Sequence, residues 1–166
     1  MVAGAVPKDA VQKDAAENRR AAAWAAAASV PDPELPAVTI EDLGILRDVT
    51  LREDGRAEVT ITPTYSGCPA MTVIAFDIVR AMDAAGFPDA VVRTVLAPAW
   101  STDWLTAAAH RKLAEAGIAP PRPGAPACPR CGSATTETIS PFGATACKAL
   151  HRCLACREPF EAFKCH

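Results

Sequence analysis

An α+β domain followed by a short cysteine-rich ribbon is the fold class this sequence predicts, on three observations. Residues 57–61 alternate apolar with polar side chains, and Met71, Ile74, Ile78 and Met82 recur at helical spacing. Two C-x-x-C pairs fall within residues 128–166. A chain of 166 residues, half of them hydrophobic, holds a domain of about 100 residues and a small appendage. An appendage below about 40 residues needs a metal or disulfides to stand.

The Ala-rich stretch over residues 10–29 predicts a first helix, preceded by a flexible tail; residues 1–19 are read as that tail and the start of the helix. Val30-Pro31-Asp32-Pro33-Glu34-Leu35-Pro36 ends it, because each proline pushes its predecessor out of the α region. A strand is expected from Ile45 to Leu51, then a turn at the Asp-Gly of REDGR. Ala57, Val59 and Ile61 then alternate with Glu58, Thr60 and Thr62, which completes an antiparallel hairpin. A helix follows from Pro69 to Ala85 and stops at Gly86. Val91 to Ala97 reads as a third strand. Ser101 reads as the N-cap of a last helix running to Ala116, with Leu105, Ala109, Leu113 and Ala116 on one face. Residues 20–118 thus form the main domain, and the four prolines of 119–127 predict an extended linker.

The net charge of −2 comes without a basic stripe, which leaves generic nucleic-acid or anionic-membrane binding unsupported. Arg19-Arg20 precedes alanines rather than a strongly apolar run, and Asp9, Asp14 and Glu17 lie upstream, so no export signal is read. No stretch is apolar enough to span a bilayer, and a cytoplasmic protein is expected. In that setting seven cysteines, an odd number, point to metal rather than to a disulfide framework.

Cys128, Cys131, Cys153 and Cys156 have the spacing at which two C-x-x-C turns complete a tetrahedral four-sulfur site. Such sites hold zinc or iron, and a structural zinc ribbon is the favoured reading. Gly132 suits the tight turn under the first pair, whereas Arg157 stands at that place in the second. Cys147 and Cys165 are either extra metal ligands or packing residues. His151 and His166 are read as packing or solvated, since four ligands close a structural site.

Cys68 lies between a strand end and Pro69, which predicts that it caps the next helix with its thiol pKa lowered by the helix dipole. Such a thiolate can attack an electrophile or carry a metal. Nucleophilic catalysis also wants a histidine base, and His110, on the last predicted helix, reads as a solvated face residue. Asp32 and Glu34 are candidate hard ligands or turn-forming residues. Glu-x-x-His pairs of a di-iron bundle, a Gly-rich dinucleotide loop and a Ser/His/Asp arrangement are all missing from the sequence.

Asp32-Pro33-Glu34-Leu35-Pro36, Asp42-Leu43-Gly44-Ile45 and Thr64-Tyr65-Ser66-Gly67-Cys68-Pro69 together resemble the SufT-like iron–sulfur cluster assembly domain. The family's reactive cysteine matches Cys68. Pro98 to Trp104, Gly117 to Pro121, both C-x-x-C pairs, Thr145 to Leu150 and Phe163-Lys164-Cys165 extend the resemblance to the D subunit of bacterial phenylacetyl-CoA epoxidase (ring 1,2-epoxidase) systems. That resemblance implies a non-enzymatic accessory factor of aerobic phenylacetate degradation. Its implied partners are a di-iron oxygenase and a flavin and iron–sulfur reductase, and its implied task is metal-centre assembly with a transient iron or iron–sulfur cluster. A scaffold subunit bridging oxygenase and reductase is the alternative; a thiol enzyme acting on a coenzyme A ester is the third reading.

Overall fold

The alternation at residues 57–61 becomes burial: Ala57, Val59 and Ile61 are fully buried along β2 (Ala57–Ile61). In the computed structural model, which describes residues 8–165, β2 pairs antiparallel with β1 (Leu46–Leu51) and parallel with β3 (Val91–Thr94). The crossover between β2 and β3 is α2 (Ala70–Ala84), whose Ile74, Ile78 and Met82 are fully buried. Each such side chain contributes roughly 1.5–3 kcal/mol of apolar burial. Helix α1 (Lys8–Ala28) lays Ala23 and Ala27 into the same core, where small side chains let it approach closely. Of the expected tail, residues 1–7 lie outside the described residues, as does His166.

The expected single C-terminal helix is two pieces. Ser101 caps a short 3₁₀ turn (Thr102–Trp104), its hydroxyl accepting from the Asp103 N–H at 3.2 Å. Leu105 is extended, and Thr106 then caps α3 (Ala107–Glu115), accepting from the Ala109 N–H at 3.0 Å. Leu105, Ala109 and Leu113 are buried as expected, but Ala116 is exposed beyond the helix end. The break follows from docking, because the Thr106 N–H donates to the Asp42 carbonyl at 3.0 Å.

The Asp42-Leu43-Gly44 motif is the seat for this region. The Asp42 carboxylate accepts from the Thr39 N–H at 3.0 Å and from the Lys112 ammonium. Burial opposes its ionisation, but Lys112 and Thr39 prevail and hold its pKa below the ordinary carboxylate value. The Trp100 indole donates to the Leu43 carbonyl at 2.9 Å. Gly44 takes φ +68°, and a Cβ there would stand 2.6 Å from Trp104 Cβ and 2.8 Å from its carbonyl oxygen. Gly44→Ala is therefore expected to cost about 3 kcal/mol or more, from a left-handed backbone and a backbone clash together. A urea midpoint within experimental error of the parent's would contradict this.

A second sheet has the order β4-β7-β6-β5, formed by Ile118–Ala119, Pro159–Phe163, Lys148–Cys153 and Thr136–Ser140. Its first strand begins directly after α3 and pairs parallel with β7, Ala119 opposite Ala162. The proline-rich stretch therefore starts inside the ribbon sheet, and Ala119 is fully buried there. Trp100 and Phe163 pack at 6.0 Å between ring centroids, and Phe163 and Cys147 belong to the main hydrophobic core. The ribbon is docked on the domain rather than strung from it.

Candidate metal centres

The ribbon hairpins bring Cys128, Cys131, Cys153 and Cys156 together, with all four sulfurs within 4.8 Å of one another. Cys128 and Cys156 are 3.7 Å apart, Cys131 and Cys153 3.5 Å. Bonds of about 2.3 Å to a tetrahedral zinc require sulfur separations of about 3.8 Å, so the donor set fits that ion. Gly132 has φ +75°, and Arg157, in the equivalent place after the second pair, has φ +68°. Both knuckles need the left-handed turn, and the second adopts it without glycine, at a cost of about 1 kcal/mol. The Cys156 N–H points at the Cys153 sulfur, and that contact heads the causes that hold its thiol down to about 6. Cys156 moves the other way, to about 12: the Glu158 N–H favours its thiolate, but desolvation and the three neighbouring sulfurs outweigh that. Four thiolates cannot share this volume without a cation, and zinc, when bound, supplies the charge and the cross-link.

Cys68 sits elsewhere, one residue before Pro69, the N-cap of α2. The expected lowering of its pKa is reversed. Burial pushes the thiol up, and the carboxylates of Glu34 and Asp32 add to that, against the Ala70 N–H and the Tyr65 hydroxyl that donate to the sulfur. The helix terminus is present, but desolvation and nearby negative charge win. Tyr65 is itself raised to about 12, chiefly by burial and then by Cys68.

The two acidic candidates part company. Asp32, 6% exposed, accepts from the N–H groups of Glu34 and Leu35 at 2.9 and 2.8 Å, and so closes the proline-rich turn. Burial raises its pKa despite those bonds. Glu34 is half-buried, carries no such backbone duty among the described contacts, and is raised by burial and by Asp32. Asp32 shapes the turn, and Glu34 accepts no hydrogen bond among the described contacts.

Cys147 and Cys165 do not join the ribbon sulfurs. Cys147 is 4% exposed in the main core, its sulfur 3.0 Å from the Thr145 hydroxyl. Its pKa is raised by burial, and Glu34 and Asp32 raise it further. Cys165 is exposed and donates to the Arg122 carbonyl at 3.4 Å. His151 stacks on Phe160 at 5.7 Å as a packing residue, and His110 is half-buried on α3. Tyr65 and Lys148 escaped the sequence reading. Lys148 is 5% exposed and ion-pairs with Glu161 at 2.6 Å, yet its charge also reaches Asp32 and Glu34. A lysine directly after the unassigned Cys147 was the available signal.

Residues 20–96 match the family described as iron–sulfur cluster assembly protein, and residues 120–164 the PaaD zinc beta ribbon domain. The chain is 49% identical over 150 residues to an Escherichia coli (strain K12) protein named as the D subunit of 1,2-phenylacetyl-CoA epoxidase, covering 86% of this chain and 90% of that one. It is 39% identical over 75 residues to the Fe-S protein maturation auxiliary factor YitW of Bacillus subtilis (strain 168), which is 45% of this chain and 72% of that protein. Among solved structures, a DUF59 domain from Bacillus anthracis superposes with a TM-score of 0.56 at 30% identity, over 61% of this chain and 96% of that one. Among the described residues, no helix is long and apolar enough to cross a membrane.

Proposed function

The chain belongs to the family of 1,2-phenylacetyl-CoA epoxidase D subunits, and from that premise we propose that it is a maturation factor for the metal centres of such an epoxidase. Its clients are the iron–sulfur reductase or the di-iron oxygenase, and it acts in the cytoplasm. The observation that carries this reading is the placement of Cys68 inside the segment that matches iron–sulfur assembly proteins, hydrogen-bonded to Tyr65 and within the electrostatic reach of Glu34 and Asp32.

Iron is cargo in this reading, not a resident cofactor. Cys68 offers a soft sulfur and Glu34 a hard oxygen, a mixed donor set that can take a ferrous ion and release it. The Tyr65 hydroxyl donates to the sulfur. Asp32 keeps the turn that carries Glu34 in shape through its two backbone bonds. Cys128, Cys131, Cys153 and Cys156 would hold the structural zinc, which keeps the ribbon folded against the domain.

A bridging-scaffold reading draws on a different observation, the exposed apolar stripe of Val73, Phe76 and Val79 along α2. The two part on one experiment. The reductase is produced with this chain and without it, and its iron and acid-labile sulfide are measured. The maturation reading expects underloaded reductase when the chain is missing. The scaffold reading expects full loading and loss only of the assembled complex.

A further inference from the structure

Opposite its buried side, α2 presents apolar side chains to solvent. Ile74, Ile78 and Met82 are fully buried, whereas Val73, Phe76 and Val79 are 47, 63 and 39% exposed. Steps of three and four residues set Val73, Phe76, Val79, Arg80 and Asp83 along one stripe of the helix. The Arg80 guanidinium lies 5.9 Å from the Phe76 ring centroid. An open groove of 400 Å³ runs beside the stripe, lined by Ser29, Val30, Pro31, Asp77, Arg80 and Ala81. Charges elsewhere on the domain surface are matched within the chain, Arg20 with Asp48 at 2.9 Å and Arg56 with Asp54 at 2.7 Å. Asp77 and Arg80 differ: among the described residues neither joins an ion pair, although both line this groove.

We propose that this face of α2 pairs with the same face of a second copy of the chain, the two helices antiparallel about a two-fold axis. A two-fold contact is self-complementary, so each copy must offer what the other needs. The stripe and groove meet that condition. With the axis between Ile78 and Val79, Asp77 of each copy stands opposite Arg80 of the other, and both charges gain a partner twice over. The same register lays Phe76 over Ala81 and Ala84 of the second copy, small side chains that leave room for a ring. A purely apolar partner, or one of a single charge sign, would leave Asp77 or Arg80 desolvated without compensation. Three apolar side chains per copy make a small interface, so association is expected to be micromolar or weaker. Pairing through this face involves neither Cys68 nor the ribbon cysteines.

The test is sedimentation velocity on the full chain, loaded with zinc, over a micromolar to millimolar concentration series. The parent is expected to shift reversibly from monomer to dimer. Arg80→Asp and Asp77→Arg each set like charges opposite one another, and each is expected to raise the dissociation constant about tenfold or more. Mixed in equal amounts, the two variants recover both opposite-charge contacts and are expected to dimerise with each other as the parent does. Phe76→Ser, at a position 63% exposed, is expected to keep the parent's unfolding midpoint and to lose the dimer. A parent that stays monomeric throughout overturns the pairing and leaves the stripe to a different protein, as the bridging reading has it. A parent dimer that survives both charge reversals, or variants that associate no better mixed than apart, would overturn this contact between α2 helices.

Discussion

Replacing Cys128 with serine is expected to drop bound zinc from one per chain to near zero and to unfold the ribbon. Its own apolar cluster consists of Ala119, Cys128, Cys153, Phe160 and Ala162 among the described residues, and two of those five are cysteines of the four-sulfur set that would hold zinc. Without the ion, what remains is too small to offset the chain entropy of some forty residues at roughly 1–2 kcal/mol each for the backbone alone. Structural zinc sites return on the order of 10–16 kcal/mol of apparent binding energy, which here is folding energy. The effect spreads, because Phe163 and Cys147 are core residues of the main domain and Trp100 packs on Phe163. Unfolding the ribbon removes those contacts and uncovers the Trp100 face, so the main domain is expected to lose a few kcal/mol as well. Zinc analysis, limited proteolysis across residues 120–165 and a denaturant titration check the three parts. A variant that keeps its zinc and resists protease would show that the site is not what holds the ribbon.

The parts of this molecule legible in the sequence are those set by local chemistry. The β2 alternation and the α2 spacing report one buried face each, because burial acts on side chains at fixed intervals along the chain. The two C-x-x-C pairs carry their own geometry, since the turn that aims two sulfurs at one point needs only four residues. What was hidden depends on contacts between distant segments. The break at Leu105 exists because Thr106 is tied to Asp42, a bond no helical pattern announces. The direction of the Cys68 shift depends on burial and on Glu34, both settled by tertiary packing, so a helix N-terminus alone gave the wrong sign. The position of Cys147 depends on how the ribbon docks, so the sequence left it open between an extra metal ligand and a packing residue.

Cys68→Ala is expected to leave zinc at one per chain while the client reductase accumulates with its cluster underloaded, as if the chain were missing. The structural cost is modest. The side chain is half-buried, and what is lost is a sulfur that accepts from the Ala70 N–H and the Tyr65 hydroxyl, worth about 1 kcal/mol. Cys68→Ser separates that cost from the chemistry. A serine hydroxyl is a better acceptor at a helix start than a thiol, so stability is expected to return to the parent value. It is a hard, weakly acidic ligand in place of a soft thiolate, so loading is not expected to return. If loading followed stability, recovering in serine and failing in alanine, Cys68 would be a capping residue and the maturation reading would lose its centre. If loading were normal in both, the bridging reading would stand alone, and the α2 stripe of Val73, Phe76 and Val79 would become the surface to disrupt. The combination that supports metal handling is restored stability with lasting underloading, because only the loss of a sulfur ligand produces both.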